Sequence, residues 1–270
     1  MRLHPIVPAI GMVGLAILWI PLVVVLVLSF NGDRLGRGFD PSVVWYVKLF
    51  HHAEIRDAAL NSLILAVSST LISTLFGTGI ALGLYRAPWP PTWRSFFDIV
   101  IHLPVVTPDI ILAAGMMAAF AVFQGVATVI GTQQPTLGMW FMIIGHTTFQ
   151  VAFVTLVVSA RLQLIERDQD EAARDLYASS WYSFSRVLLP QLAPGIAAGA
   201  MLAFVLSLDD FVVSLFTAST ESNTLPLYIY AVVKRGVTPE IHALSTFIVF
   251  ITVALVLIMA KATPSTKETT

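Results

Sequence analysis

An all-α integral membrane fold of six transmembrane helices is predicted by three observations. Hydrophobic residues fill 57% of the 270 positions and charged residues only 11%, against about 25% charged in an ordinary soluble domain. A soluble fold of this size would have to cover its surface with polar groups that this chain lacks. The apolar residues also gather into stretches near the ~20 that a helix needs to cross a bilayer. Mean hydropathy is correspondingly high, at +0.83.

The first span is placed at 6–30. Its uncharged stretch from Leu3 to Gly32 is longer than the ~7–15 apolar residues of a signal-peptide core, and no clear small-residue cleavage site follows, so it reads as a retained span. Next comes "DPSVVWYVKLFHH", Asp40 to His52, either a short interfacial helix with aromatic anchors or an ordered loop without function. A second span is placed at 60–85. Within it, "GTGIALG" puts Gly79 and Gly83 four apart, the spacing of a smooth face for close helix packing.

The third and fourth spans, 99–123 and 136–160, share an uncharged run from Ile110 to Ala160 that is too long for one crossing. "QGVATVIGTQQPT", Gln124 to Thr136, has the composition of a turn and divides them. Thr107, Pro108 and Asp109 read as N-cap, N1 and N2 of a helix restarting after "LPVV". His146 and Gln150 lie one turn apart on one face of the fourth span, and interhelical hydrogen bonding is the expected use.

A polar island at about 165–190 precedes the fifth span, 195–217. Glu166, Asp168, Asp170 and Glu171 crowd its start, where a helix N-terminus favours negative charge. A second segment, "WYSFSRVLL", is expected to stop at Pro190. Trp181, Tyr182 and Phe184 with Arg186 suit a protein–protein contact; lying on lipid headgroups is the alternative. The sixth span is placed at 242–261, and residues 262–270 as a loose cytoplasmic tail. One membrane domain covering 1–270 is the simplest organisation. Nine Lys and Arg fall on the side of the termini and six on the other, which favours cytoplasmic termini.

Several chemistries are not supported by the sequence. There is no cysteine for a disulfide or a thiolate metal site, and no metal site is expected. No lysine follows a glycine, so a phosphate-binding Gly-Lys loop is missing; neither Gly-x-Ser nor His-Glu-x-x-His occurs. No catalytic residue is assigned, and the chain is expected not to be an enzyme. A net charge of −1 makes nucleic acid a poor partner. Three carboxylates, Asp109, Asp209 and Asp210, lie in or near apolar spans. Each carries an insertion penalty of about 2.5–3.5 kcal/mol at a helix centre, so they face a cavity or a partner rather than lipid. Asp209 and Asp210 diverge by about 100° on a helix, so one can face a pathway while the other meets a neighbour. For Asp109 the alternative is a helix-cap and dipole role; Ser207 and Asp210 have the spacing of a cap within a broken fifth span.

Glu171-Ala172-Ala173, three residues, position 177, nine residues and Val187-x-Leu189-Pro190 resemble the EAA loop of permease subunits in bacterial binding-protein-dependent ABC importers. That pattern is E-A-A-x3-G-x9-I-x-L-P. "LPVVTPDIILAAG", "VVSARLQLIERDQDEAARDL" and "AFVLSLDDFVVSLF" are similar to the second permease of spermidine/putrescine importers, the PotC-like branch. The resemblance implies a type I ABC importer permease fold in the bacterial cytoplasmic (inner) membrane. It implies ATPase coupling through Glu171, Ala172, Ala173, Asp175, Tyr177, Leu189 and Pro190, and Asp209, Asp210 and Asp109 as candidates for a pathway taking polyamine ammonium groups. It further implies a heterodimer with a homologous permease, two ATPase subunits carrying ATP and Mg, no cofactor on this chain, and a periplasmic or lipid-anchored binding protein. The alternatives are another cargo (amine, opine, phosphonate or metal ion) or a self-sufficient channel or carrier. Tyr177 stands where the family has glycine, and the first coupling helix is expected to run on past it.

Overall fold

The structure is a computed structural model that describes residues 6–33, 38–86, 88–165, 175, 177–236 and 238–262. It is built from helices: α1 (Ile6–Ser29), α2 (Val44–His51), α3 (Ala53–Arg86), α4 (Pro91–Val106), α5 (Asp109–Val129) and α6 (Met139–Gln163). Then follow α7 (Ser180–Asp209), α8 (Val212–Thr217), α9 (Leu225–Arg235) and α10 (Pro239–Ala262). Among the described residues five helices are long and apolar enough to cross a membrane, and the apolar α10 occupies the sixth expected place.

The chain forms two compact units, Met1–Asp57 with Tyr228–Thr270, and Ala58–Leu227. In the first, α10 packs on α1 and α2, with the rings of Phe50 and Phe247 edge to face at 5.7 Å. The loop after α1 is tied by Asn31. Its Oδ1 accepts from the backbone N–H of Asp33 and Asp40, and its Nδ2 donates to the Gly38 carbonyl. The stretch read as an interfacial helix or a loop is helical over Val44–His51. Its aromatic anchor Trp45 points inward: the ring is buried and Nε1 donates to the Asn31 carbonyl at 2.9 Å.

In the second unit α6 is the central helix and α7 its main neighbour. Ala81, Val154, Val158, Leu162, Leu188, Leu192 and Ala203 make one buried cluster from α3, α6 and α7. Each leucine side chain hidden in this way contributes about 1.5–3 kcal/mol in water-to-apolar transfer terms; within a bilayer, close packing does more of the holding. Within this chain the close approach is not made by Gly79 and Gly83, beside which an added Cβ meets nothing within 4 Å. Gly77 makes it, lying against Val154, and Gly199 and Gly195 do the same against Val154 and Arg161. Four-residue spacing names a helix face without saying which glycine meets a neighbour.

The expected third span is two helices, α4 and α5, because Pro108 has no N–H and forces Thr107 into an extended conformation, φ −83 and ψ 130. Thr107 is therefore the end of α4, not the N-cap of α5. Its hydroxyl donates back to the Leu103 carbonyl at 2.6 Å, and Pro108 takes the cap position without a side-chain bond. The expected stop at Pro190 is also corrected. The helix runs through it because residues Ser183–Leu188 form a π-helical turn, which moves the preceding carbonyls out of their usual register. Leu189 N–H donates to the Phe184 carbonyl, five residues back, and Pro190 sits at the start of the following α-helical stretch, where its missing N–H is tolerated.

Candidate pathway and coupling sites

The fifth span is broken at the acidic pair. Asp209 ends α7, Asp210 is extended at φ −63 and ψ 126, and α8 begins at Val212. Asp210 turns its carboxylate forward along the chain: Oδ2 accepts from the Ser214 N–H at 2.8 Å and Oδ1 from the Val213 N–H at 3.3 Å. These are first-turn donors that a helix leaves unpaired. The cap is thus Asp210, and Ser207 belongs to a different bond.

Ser207 lies beside His146 of α6. The imidazole is fully buried, with Nδ1 at 2.8 Å from Ser207 Oγ and Nε2 at 3.1 Å from Ser214 Oγ. Nε2 is also 3.3 Å from Asp210 Oδ2. Ser69 of α3 closes the cluster, its hydroxyl donating to the Leu65 carbonyl and lying 3.4 Å from Ser207 Oγ. One turn along α6, Gln150 Nε2 donates to the Ala203 carbonyl at 3.0 Å.

Asp209 points elsewhere and is exposed, and Asp109, first residue of α5, is exposed too. Asp209 stands near enough to feel the charge of Asp210, its neighbour in sequence, and of Asp109 at the other helix break. Asp109 sits in the first turn of α5, where a helix favours negative charge. Beside the Thr107 break lies an apolar cavity of about 680 Å³, with Met116, Phe120, Trp140 and Phe149 in its wall.

Of the residues that the resemblance assigns to coupling, Glu171, Ala172 and Ala173 lie outside the described residues. Asp175, Leu189 and Pro190 are exposed. Tyr177 corrects the expectation that the helix runs on: it is in a turn at φ +60, in the left-handed region, with its side chain 98% exposed. The family glycine position thus keeps a glycine-like backbone here, though a tyrosine loses roughly 1–2 kcal/mol by adopting it. Ser179 then caps the next helix, accepting from the Tyr182 N–H at 3.2 Å. Trp181 and Tyr182 are exposed on its first turn.

A model of the family described as binding-protein-dependent transport system inner membrane component matches residues 77–261. The chain belongs to this family. It is 34% identical over 246 residues to the spermidine/putrescine transport system permease protein PotC of Haemophilus influenzae, covering 90% of each chain. It is 33% identical over 240 residues to the putrescine transport system permease protein PotI of Escherichia coli strain K12, covering 88% of this chain and 83% of that one. Its fold matches a chain of a bacterial alginate ABC transporter, solved in complex with an alginate-pentasaccharide-bound periplasmic protein. The TM-score is 0.73 at 20% identity, over 95% of this chain and 90% of that one. As a member of the binding-protein-dependent inner membrane component family it is a multi-pass membrane protein and a translocation component.

The sequence reading missed Ser69 and Ser214 as partners in the buried cluster. Ser207, Asp210 and Ser214 at intervals of three and four, facing a helix with His146 and Gln150 four apart, was the available signal.

Proposed function

We propose that this chain is the permease subunit of an ATP-driven importer of polyamines such as spermidine and putrescine. The observation that carries the reading is similarity over 88–90% of the chain to polyamine permeases. The grouping of Asp109, Asp209 and Asp210 at two helix breaks supports it. A polyamine carries several ammonium groups joined by methylenes, and carboxylates held together in an apolar surrounding favour such a cation. Asp209 and Asp109, both exposed, are the pathway acids; Asp210 is committed to the Val213 and Ser214 amides.

In this reading the chain pairs with a homologous permease, each forming half of the pathway. Two ATPase subunits carrying ATP and Mg dock on the island at about 165–190, and a periplasmic or lipid-anchored binding protein delivers cargo from outside. Both termini lie in the cytoplasm, consistent with the nine-to-six distribution of Lys and Arg. Exposed Trp181 and Tyr182 supply aromatic contact area of the kind protein interfaces favour, and the left-handed turn at Tyr177 joins the two coupling segments.

The test is reconstitution in liposomes with the partner permease, the ATPase and a set of binding proteins loaded with spermidine, putrescine, an opine, a phosphonate or a metal ion. Stimulated ATP hydrolysis and accumulation with the polyamine-loaded protein are expected. Stimulation by another cargo alone overturns the substrate; transport by this chain alone without ATP overturns the machine.

A further inference from the structure

We propose that His146 is a positioning residue for translocation. It clamps the break in the fifth span from both sides and so sets where Asp209 stands. The inference rests on the reading of Asp209 as a pathway acid.

One imidazole holds two helices. Ser207, on its Nδ1 side, belongs to α7 ahead of the break; Ser214, on its Nε2 side, belongs to α8 beyond it. Asp210, between the helices, meets the same Nε2. Gln150 fixes α7 one turn earlier through the Ala203 carbonyl. The α6 helix therefore supplies a regular ladder, 150 to 203 and 146 to 207, and the ring then reaches over the gap.

The donor and acceptor count makes this a clamp rather than a chance contact. An ionised carboxylate only accepts. Asp210 already accepts two backbone N–H groups, and its side chain is 9% exposed. With its proton on Nε2, the ring offers that N–H to Ser214 Oγ at 3.1 Å and to Asp210 Oδ2 at 3.3 Å, a further donor for the carboxylate. At the other nitrogen the Ser207 hydroxyl donates when the ring is neutral and accepts when it is charged. The cluster is satisfied in both ring states, so the clamp does not depend on which one is present. The acid is only 9% exposed, so removing the ring takes away a polar neighbour that solvent replaces poorly.

The consequence for Asp209 is geometric. Residues 207, 210 and 214 are drawn to one side, toward α6. Asp209 precedes Asp210 by one position, about 100° round the helix, and is left exposed. Without the ring, α7 and α8 are free to rejoin or splay, and the carboxylate at 209 moves with them.

The chain has no cysteine, so Asp209→Cys gives a single thiol whose reaction with a charged methanethiosulfonate reports that position directly. The full chain in native membranes carries this change with His146, His146→Leu, His146→Gln or Ser214→Ala. Thr132→Cys, in an exposed loop, is the control thiol in each background. His146→Leu is expected to change the rate at 209 about tenfold, the shift one charge-assisted hydrogen bond can hold, with the control unchanged. His146→Gln, which keeps a donor, restores most of the rate. Ser214→Ala, which leaves the ring in place, moves it in the same direction by less. An unchanged rate at 209 in both His146→Leu and Ser214→Ala overturns the proposal, as does an equal change at both thiols. Polyamine uptake by Asp209→Asn judges the pathway reading separately: normal uptake removes that reading while the labelling result still decides the clamp.

Discussion

Val154 of α6 occupies the space that a Cβ on Gly77 of α3 would need; the two Cβ carbons would lie 2.7 Å apart. The same valine faces Gly199 of α7, where an added Cβ would come within 3.3 Å of its Cγ1. One branched side chain thus sets the spacing of three helices.

Gly77→Ala should lower the thermal stability of the purified protein by the equivalent of about 1–3 kcal/mol, the usual result of overpacking. Adding Val154→Ala should recover part of that loss, and Gly79→Ala should change little because nothing lies within 4 Å of an added Cβ there. Equal melting temperatures for Gly77→Ala and Gly79→Ala would contradict this packing.

Asp209 and Asp210 should separate cleanly under substitution. Asp210→Asn weakens the acceptor of the Val213 and Ser214 amides and should cost about 1–3 kcal/mol in stability. Asp209→Asn, on an exposed residue, should leave the stability within about 0.5 kcal/mol of the parent and reduce polyamine uptake. Calorimetry beside uptake of labelled spermidine checks both; the reverse pattern would exchange their roles.

Replacing Tyr177 by glycine should stabilise the turn by about 1 kcal/mol, because glycine adopts φ +60 without the steric cost of a Cβ. A valine there should destabilise it further. Urea unfolding of the three forms is the measurement, and an order other than Gly, Tyr, Val would show that the tyrosine is not under backbone strain.

Ser179→Ala removes the acceptor of the Tyr182 N–H and should cost about 1 kcal/mol at the helix start. Hydrogen exchange at Trp181 and Tyr182 should quicken, while exchange deep in α6, at Val154 and Val158, stays slow. Unaltered exchange at Tyr182 would mean that another group caps the helix.

Span positions were legible because length and hydropathy decide them, and the Thr107–Pro108 break because proline acts through its own chain. The clustering of Asp109 with Asp209 was legible only as three costly residues in need of a reason. What failed has a common cause. The choice of Asp210 over Ser207 as cap, and of Gly77 over Gly79 for packing, depends on which side a neighbouring helix stands, and periodicity does not carry that. Proline statistics suggested an end at Pro190, but a π-turn just before it opened the register and let the helix continue. At Tyr177 side-chain preference pointed to a helix, while the turn between two segments required a left-handed residue.

The continuity of α7 from Ser180 to Asp209 has a mechanical reading. Thirty residues at 1.5 Å each trace about 45 Å of helix, with exposed aromatics at one tip and the paired acids at the other. A tilt of about five degrees at the aromatic tip would sweep the acidic tip sideways by roughly 4 Å over that length. Motion between those tips passes along one unbroken segment, and the surplus residue wound in at Ser183–Leu188 and the proline at position 194, Pro194, are the places where it can bend.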